Sequence, residues 1–577
     1  MNQLEEFKKL ARSYYEFIYR SFPELATYYG VHRYDSKLTN FSGSNISRII
    51  GKLELYKKTF MAFAREFKKW PLADQVDYRY LLSEIESYLL NWEEIKDWQK
   101  SPTLYLETPL MGIFLLFIRN HRSAKVVYKN VTSRLSHFHS VLSQGKRNLS
   151  RPSRIQVEVG LETLAGAGVF LDGLPTYFKG RLGKRDLENL KASCQRVKRS
   201  LKVFEEFLRL KMLPSAKDDF ALGKRLFAKK LKVESLLNQD PDKIYRFGLS
   251  SFKRIEGELK SLAKKLDRKK TWQELVEEYR NLTPKKENLL GSYRREVKKL
   301  AKFLKKKKIV SFPPKERCLT VETPLFERPT IPYAAYMPPG PFEKDQTGIF
   351  WVTTIEKSSE LTTPRSGVPL RRENSEMLKV NHYEQLKEHN IFAYPITTLH
   401  EAYPGHHLQF SLANRHPSFI RKHAQSSLYC EGWALYCEQM MGETGYYKDE
   451  RIRLFVLKDE LWRAARVIID VSLHCSGMTI DQATELLVKK VKLAPDQAQA
   501  EVKRYTVSPT QPLTYLVGKH LILNLRKKAK VKWGRSFSLK RFHDLFLSFG
   551  TVPLPLVEGE FFGERARSVD GEGSLMF

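Results

Sequence analysis

YPITTLHEAYPGHHLQFSLANRH, residues 394–416, is the stretch on which the reading of the fold turns. His400 and Glu401 form an adjacent H-E pair inside text of helical period. Zinc hydrolases need a neutral imidazole on the metal and a carboxylate beside it to take a proton from water. In the regular H-E-x-x-H pattern the second histidine follows four residues on and shares the helix face. Here position 404 is Pro, so that pattern fails, and the next imidazoles are His406 and His407, preceded by Gly405. On a regular helix an i,i+7 pair shares a face at a separation of roughly 10 Å. That is too far for one zinc, so the helix must distort for either histidine. His406 needs the smaller distortion, and Gly405 can supply the backbone freedom. His407 is the alternative ligand, or otherwise a supporting group. The competing account is a helix cap and turn that happens to be polar.

A second segment favours the metal. SLYCEGWALYCEQM, residues 427–440, sets Glu431 and Glu438 in an otherwise apolar helix beside Leu428, Trp433, Ala434, Leu435 and Tyr436. A buried carboxylate is costly unless it meets a cation or a dense set of hydrogen bonds. Zinc held by His400 and His406 would be such a cation, and a buried Arg463 or Arg466 would be the ordinary substitute. Glu431 and Glu438 are seven apart and share a face, so spacing leaves both open as the third ligand.

Working outward, residues 1–310 read as helices. Leu4, Phe7, Leu10, Ala11, Tyr14 and Ile18 recur at three- and four-residue steps. LETLAGAGVFLDGLP, residues 161–175, reads as a turn-rich break through Gly166, Gly168, Gly173 and Pro175. In the Lys-rich stretch after Arg181, Leu262, Leu266, Trp272, Leu275, Val276 and Tyr279 fall largely on one side of a helix. Lys305 to Lys308 reads as a solvated helix end in preference to a phosphate patch. From Ser311 the prolines at 313, 314, 324, 329, 332, 338, 339 and 341 exclude helix. Short strands are expected in CLTVET, IPYAAYM and GIFWVTTIE, between about 316 and 356, and helical period returns after Glu373. The expected fold is mainly α: a large multi-helical zincin-like architecture with a small antiparallel β-sheet before the active-site helix. Its two regions are 1–310, helical and Lys-rich, and 311–577, catalytic.

Of 577 residues, 42% are hydrophobic and 12% aromatic, which excludes a disordered or collagenous chain. Five cysteines with no close C-x-x-C pair argue for a reducing compartment and against a cysteine-bound metal. The amino terminus carries Glu5 and Glu6 and no h-region, and no stretch approaches the length of a membrane span, so a soluble, cytoplasmic protein is expected. Lys+Arg 99 against Asp+Glu 65 leaves +34. Such a surface would attract nucleic acid or anionic surfaces nonspecifically, but no matching motif accompanies it and that function is not favoured.

HEAYPGHHLQ followed by YCEGWALYCE resembles the bacterial domain-of-unknown-function family 885, placed among gluzincin-like metallopeptidases. The likeness extends to FPELATYYGVHRYD near residues 22–35, to TGIFWVTT, to residues 463–483 and 504–526, and to FHDLFLSFGTVPL. One departure is Pro509-Thr510-Gln511, where Pro-Gly-Gln is expected, and the Lys-rich middle is another. The resemblance implies that His400, His406 and Glu431 bind Zn²⁺ and that Glu401 activates the water, leaving one metal position open. Donors for a developing oxyanion would come from Tyr505, Tyr515, His474 or Arg504. Arg466, Asp470 and His474 lie at i, i+4 and i+8. They read either as a chain in which Asp470 orients His474, or as an exposed ion ladder. GIFWVTTIE would lie at the cleft edge and could pair with an extended peptide, the plainer reading being an interior strand. The function so implied is a zinc metallopeptidase for oligopeptides. The alternatives are an inactive zincin-like basic binding protein, or a zinc hydrolase of another amide or ester.

Overall fold

The computed structural model describes residues 3–119, 123–324, 328, 331, 333–355 and 383–563. Helices dominate it. The first, Gln3–Ser21, buries Phe7, Ala11, Tyr14 and Ile18, the stripe expected from its period. The largest hydrophobic core runs from Phe7 to Phe561, so helices on both sides of residue 310 pack into it. A second core, from Phe41 to Met212 with Trp351 added, fills the space between helices Pro102–Ile118, Ala124–Asn148, Arg154–Phe178 and Lys184–Phe207.

Two helical expectations need correction. Residues 161–175 are not a break but the middle of Arg154–Phe178. Its Leu164, Ala167, Leu171 and Leu174 are buried in the second core, and that packing outweighs the poor propensity of the glycines. Added Cβ atoms at Gly166 and Gly168 would meet open space, so these two glycines occupy the outer face. Conversely, Leu262 and Trp272 do not share one helix. Pro241–Leu266 ends, and Trp272–Arg280 begins anew under a capping box. In that box Thr271 Oγ1 accepts from Glu274 N at 3.2 Å and Glu274 Oε2 accepts from Thr271 N at 2.7 Å. Lys305, Lys306 and Lys307 are the exposed last turn of Leu289–Lys307, as read from the sequence.

Three strands form where the prolines exclude helix: β1 (Arg317–Glu322), β2 (Ala334–Met337) and β3 (Thr347–Val352). The sheet is mixed and not antiparallel. Its order is β1-β3-β2, with β1 parallel and β2 antiparallel to β3. The chain does reverse at each connection, but β3 inserts between the other two, and sequence does not reveal that order. GIFWV is therefore the central strand, paired on both sides, and offers no free edge to a peptide. Successive side chains point to opposite faces: Phe350 and Val352 join the main core, Trp351 the second. Burial on both faces explains the unbroken apolar run.

Among the described residues no single helix is long and apolar enough to cross a membrane. One bent pair, Leu72–Lys100 with Pro102–Ile118, passes by length and composition. Its two halves meet at 98°.

Candidate metal centre

The helix Ala393–Glu401 starts where Asn390 Oδ1 accepts from the backbone N–H groups of Phe392 and Ala393, at 3.1 and 2.9 Å. It stops at Glu401, and a second helix, His406–Ala413, begins five residues later. The intervening turn contains a cis Tyr403–Pro404 bond and is held by Trp433 Nε1, which donates to the Pro404 carbonyl at 2.8 Å. Gly405 is required here for close approach and not for a left-handed backbone. A Cβ on it would lie 1.9 Å from the His400 carbonyl oxygen. The tight return brings the two imidazoles edge to face, with ring centroids 4.8 Å apart. The broken motif is thus reassembled by a distorted turn, with His406 as the partner of His400.

Helix Ser427–Glu443 supplies the carboxylates, and its shared face uses both of them on one ring. Glu431 Oε2 lies 3.6 Å from His400 Nε2 and 3.5 Å from His406 Nε2. Glu438 Oε1 lies 2.8 Å from His400 Nδ1, which fixes the tautomer with Nδ1–H donating and leaves Nε2 facing Glu431. That helix is pinned by Gly432, where a Cβ would meet Gly518 Cα at 2.6 Å. The close crossing seats helix Thr514–Trp533, and Tyr515 on it, against the Glu431 turn.

His400, His406 and Glu431 can offer one ligand atom each with all three within 4.8 Å of one another. For a tetrahedral zinc with bonds near 2.0–2.1 Å, ligand atoms stand about 3.3 Å apart. The two histidine–glutamate separations are close to that value. Glu431 Oε2 is buried and has no hydrogen-bond partner. Burial by itself lowers the pKa of His400, yet Glu431 and Glu438 outweigh it and push it up to about 10. Burial raises that of Glu431, but the two imidazoles carry it far below the carboxylate range. The donor set and its unmet negative charge fit a divalent cation, with Glu438 as the outer carboxylate behind a metal-facing histidine.

Glu401 stands next to this group. Its Oε2 accepts from the Tyr336 backbone N–H of edge strand β2 at 3.0 Å. Burial raises its pKa, and the charges of His406 and His400 oppose that rise. His407 is fully buried and faces elsewhere: Nε2 is 2.8 Å from Glu316 Oε2 and Nδ1 is 3.0 Å from the Tyr336 hydroxyl. It ties the helix to the sheet and is not grouped with His400, His406 and Glu431.

The other candidates separate. Tyr515 is closest to the centre in electrostatic terms: burial and then Glu431 push its pKa up to about 12, against Arg466 and Arg504. Tyr505 is enclosed in a closed network. Its hydroxyl donates to Glu501 Oε2 at 2.7 Å and accepts from Arg466 Nε at 3.0 Å. Arg504 is part of the same network, with Nη2 on Glu501 at 3.0 Å and Nη1 on Gln511 Oε1 at 2.7 Å. His474 is 1% exposed, with Nε2 on the Tyr505 carbonyl at 3.0 Å and Nδ1 facing the Leu222 N–H at 3.4 Å. The stripe Arg466, Asp470, His474 is buried and so is no exposed ladder, nor does Asp470 orient His474, from which it stands 4.0 Å away. Asp470 Oδ1 accepts instead from Thr510 N at 3.2 Å. Thr510 has φ +73°, the left-handed region, so the position where glycine was expected does have a glycine-like backbone.

Sequence reasoning missed Glu316, Tyr336 and Glu501, whose roles come from strand order and helix crossing. It also missed a chamber of about 780 Å³ whose wall includes Ser427, Gln511 and Thr514. Ser427 is one turn before Glu431 and Thr514 is next to Tyr515, so the chamber reaches the two helices that carry those residues.

Residues 23–560 match the family described as "Bacterial protein of unknown function (DUF885)", and the chain belongs to that family. No curated protein matches it. Among solved structures it is similar to one described as "a putative lipoprotein of unknown function" from Shewanella oneidensis, at 22% identity and TM-score 0.77. The match covers 96% of this chain and 99% of that one. It is also similar to one described as "the putative lipoprotein" from Colwellia psychrerythraea, at 19% identity and TM-score 0.81, covering 97% and 98%. These likenesses establish a shared fold.

Proposed function

We propose that this DUF885 member is a zinc-dependent, gluzincin-like metallopeptidase that hydrolyses oligopeptides. The observation that carries the reading is the convergence of His400, His406 and Glu431 on one point with Glu401 beside them. His400 and His406 would hold the ion through Nε2 and Glu431 through a carboxylate oxygen. Zinc bound there supplies Lewis acidity toward a carbonyl and lowers the pKa of a water. Glu401 is the base: its carboxylate, whose pKa burial raises, is suited to accept a proton and return it to a leaving amine. The Tyr336 N–H holds Glu401 Oε2 in place. Tyr515 is the donor best placed to stabilise a developing oxyanion, and Tyr505 and His474, engaged elsewhere, support the scaffold.

The test compares zinc-loaded wild type with Glu401→Gln on a mixed peptide library, alongside amide and ester substrates. The expected result is peptide cleavage that falls by about 10²–10⁴-fold in the variant while both proteins keep one zinc per chain. Zinc without any hydrolysis would favour an inactive binding protein, and cleavage confined to non-peptide substrates would assign a different hydrolase. For location, five free thiols support the cytoplasm, whereas two structural relatives are described as lipoproteins. Cell fractionation decides between them.

A further inference from the structure

The 780 Å³ chamber has a buried carboxylate that the proposed chemistry does not use. Glu84, on helix Leu72–Leu89, lines it, and its Oε2 is buried without a hydrogen-bond partner. Tyr80 donates to its other oxygen at 3.2 Å. The hydroxyls of Tyr14 and Tyr15, also buried and unpartnered, belong to the same electrostatic neighbourhood. Tyr29 and Tyr88 complete an aromatic wall.

Cations in the chamber are committed elsewhere or do not reach Glu84. Lys230 pairs with Glu234 at 2.5 Å. The groups that act on Glu84 are burial and three tyrosines, with no cation among them, and burial holds its carboxyl up at about 7. A carboxylate that meets no cation and is ringed by aromatic hydroxyls and π faces is the chemistry that recognises an ammonium group. Ser427 and Thr514 also line the chamber, on the helices that carry Glu431 and Tyr515.

We propose that the chamber binds short peptides by their free, protonated amino terminus, held between Glu84 and the tyrosine wall, with the peptide running past Ser427 toward Glu431. As a substrate assignment this rests on the metallopeptidase reading; as a binding site it does not.

Trialanine and N-acetyl-trialanine are titrated calorimetrically into the metal-free full chain, wild type and Glu84→Gln, with thermal melts as a folding control. Trialanine is expected to bind at least about tenfold more tightly than its acetylated form, since a charge-assisted hydrogen bond is lost on acetylation. Glu84→Gln is expected to erase that preference. Equal binding of the two peptides, binding of neither, or a preference that survives in Glu84→Gln overturns the proposal. If Glu84→Gln fails to melt cooperatively, the wild-type comparison alone decides. Hydrolysis by the zinc-loaded chain separates the two readings. Cleavage indifferent to acetylation sinks the amine site and keeps the peptidase. A Glu84-dependent preference without cleavage keeps the amine site and sinks the peptidase.

Discussion

Two buried charge clusters flank Tyr515, and they differ in what they lack. Around Arg466, each charge meets its opposite: Glu501 accepts from Arg466, Arg504 and the Tyr505 hydroxyl, which together hold its pKa at about 2 against the effect of burial. Around His400, three carboxylates crowd two imidazoles, and a Glu431 oxygen is left without a partner. Tyr515 is coupled to both, its ring 4.7 Å under the Arg466 guanidinium and its phenol in the field of Glu431. Buried charge that is fully answered by protein groups is architecture. Buried charge with unmet valence marks a place where something else binds.

The sharpest way to break this contrast is to remove a ligand from the unanswered cluster. His400→Ala is expected to abolish stoichiometric zinc. Wild type should gain about 4 kcal/mol of unfolding free energy when free zinc is a thousandfold above its Kd, and the variant should gain none. Metal analysis and denaturant unfolding with and without zinc check both. Equal zinc-induced stabilisation in the two proteins would place the ion elsewhere.

The opposite operation is made on the answered cluster. Arg466→Met should destabilise the fold by about 3 kcal/mol, the low end for breaking a buried pair because Arg504 still meets Glu501. Zinc stoichiometry should stay at that of wild type. Should Arg466→Met lose its metal while remaining folded, the two clusters would be one functional unit.

A smaller effect sharpens the division inside the metal group. Glu438 reaches only the far nitrogen of His400, at 2.8 Å, so Glu438→Gln should weaken zinc binding by about 10- to 100-fold without abolishing it. Competition with a chromophoric chelator reads this directly. Complete loss would make Glu438 a ligand.

How much of this the sequence already held depends on which interactions are local. The H-E pair, the broken spacing and the two glutamates seven apart are local facts, and they led to His400, to a preference for His406 and to a third position open between Glu431 and Glu438. The choice of Glu431 over Glu438 was not local, because both face the same ring and only the helix crossing at Gly432 and Gly518 assigns each its nitrogen. The mixed sheet was hidden for the same reason: three short strands separated by prolines do not state that β3 inserts between the other two. Residues 161–175 misled because burial of one face in the second core outweighed glycine's local cost. Tyr505 and Tyr515 looked alike in sequence, ten residues apart. Tertiary packing gave one to Glu501 and the other to the neighbourhood of Glu431.

Asp470 provides the finest test, because it belongs to the answered side yet is incompletely answered. Its Oδ1 accepts from Thr510 N, but its Oδ2 is buried without a partner, and burial pushes its carboxyl up to about 8. In the unfolded chain an aspartate titrates near 3.9. Between these values the folded state keeps a proton that the unfolded state has released. Stability from this group is therefore full below about 4 and is lost as the pH rises toward 8. The loss is at most about 1.4 kcal/mol from pH 6 to pH 7. Asp470→Asn keeps a carbonyl oxygen for Thr510 and has no proton to lose, so the stability difference between the variant and wild type should grow in the variant's favour over that interval. Denaturant unfolding of both proteins at the two pH values measures it. Parallel pH dependences would mean that Asp470 is ionised in the fold, with a cation or bound water meeting Oδ2, and would move it from the scaffold into the set of buried charges whose partner is still to be found.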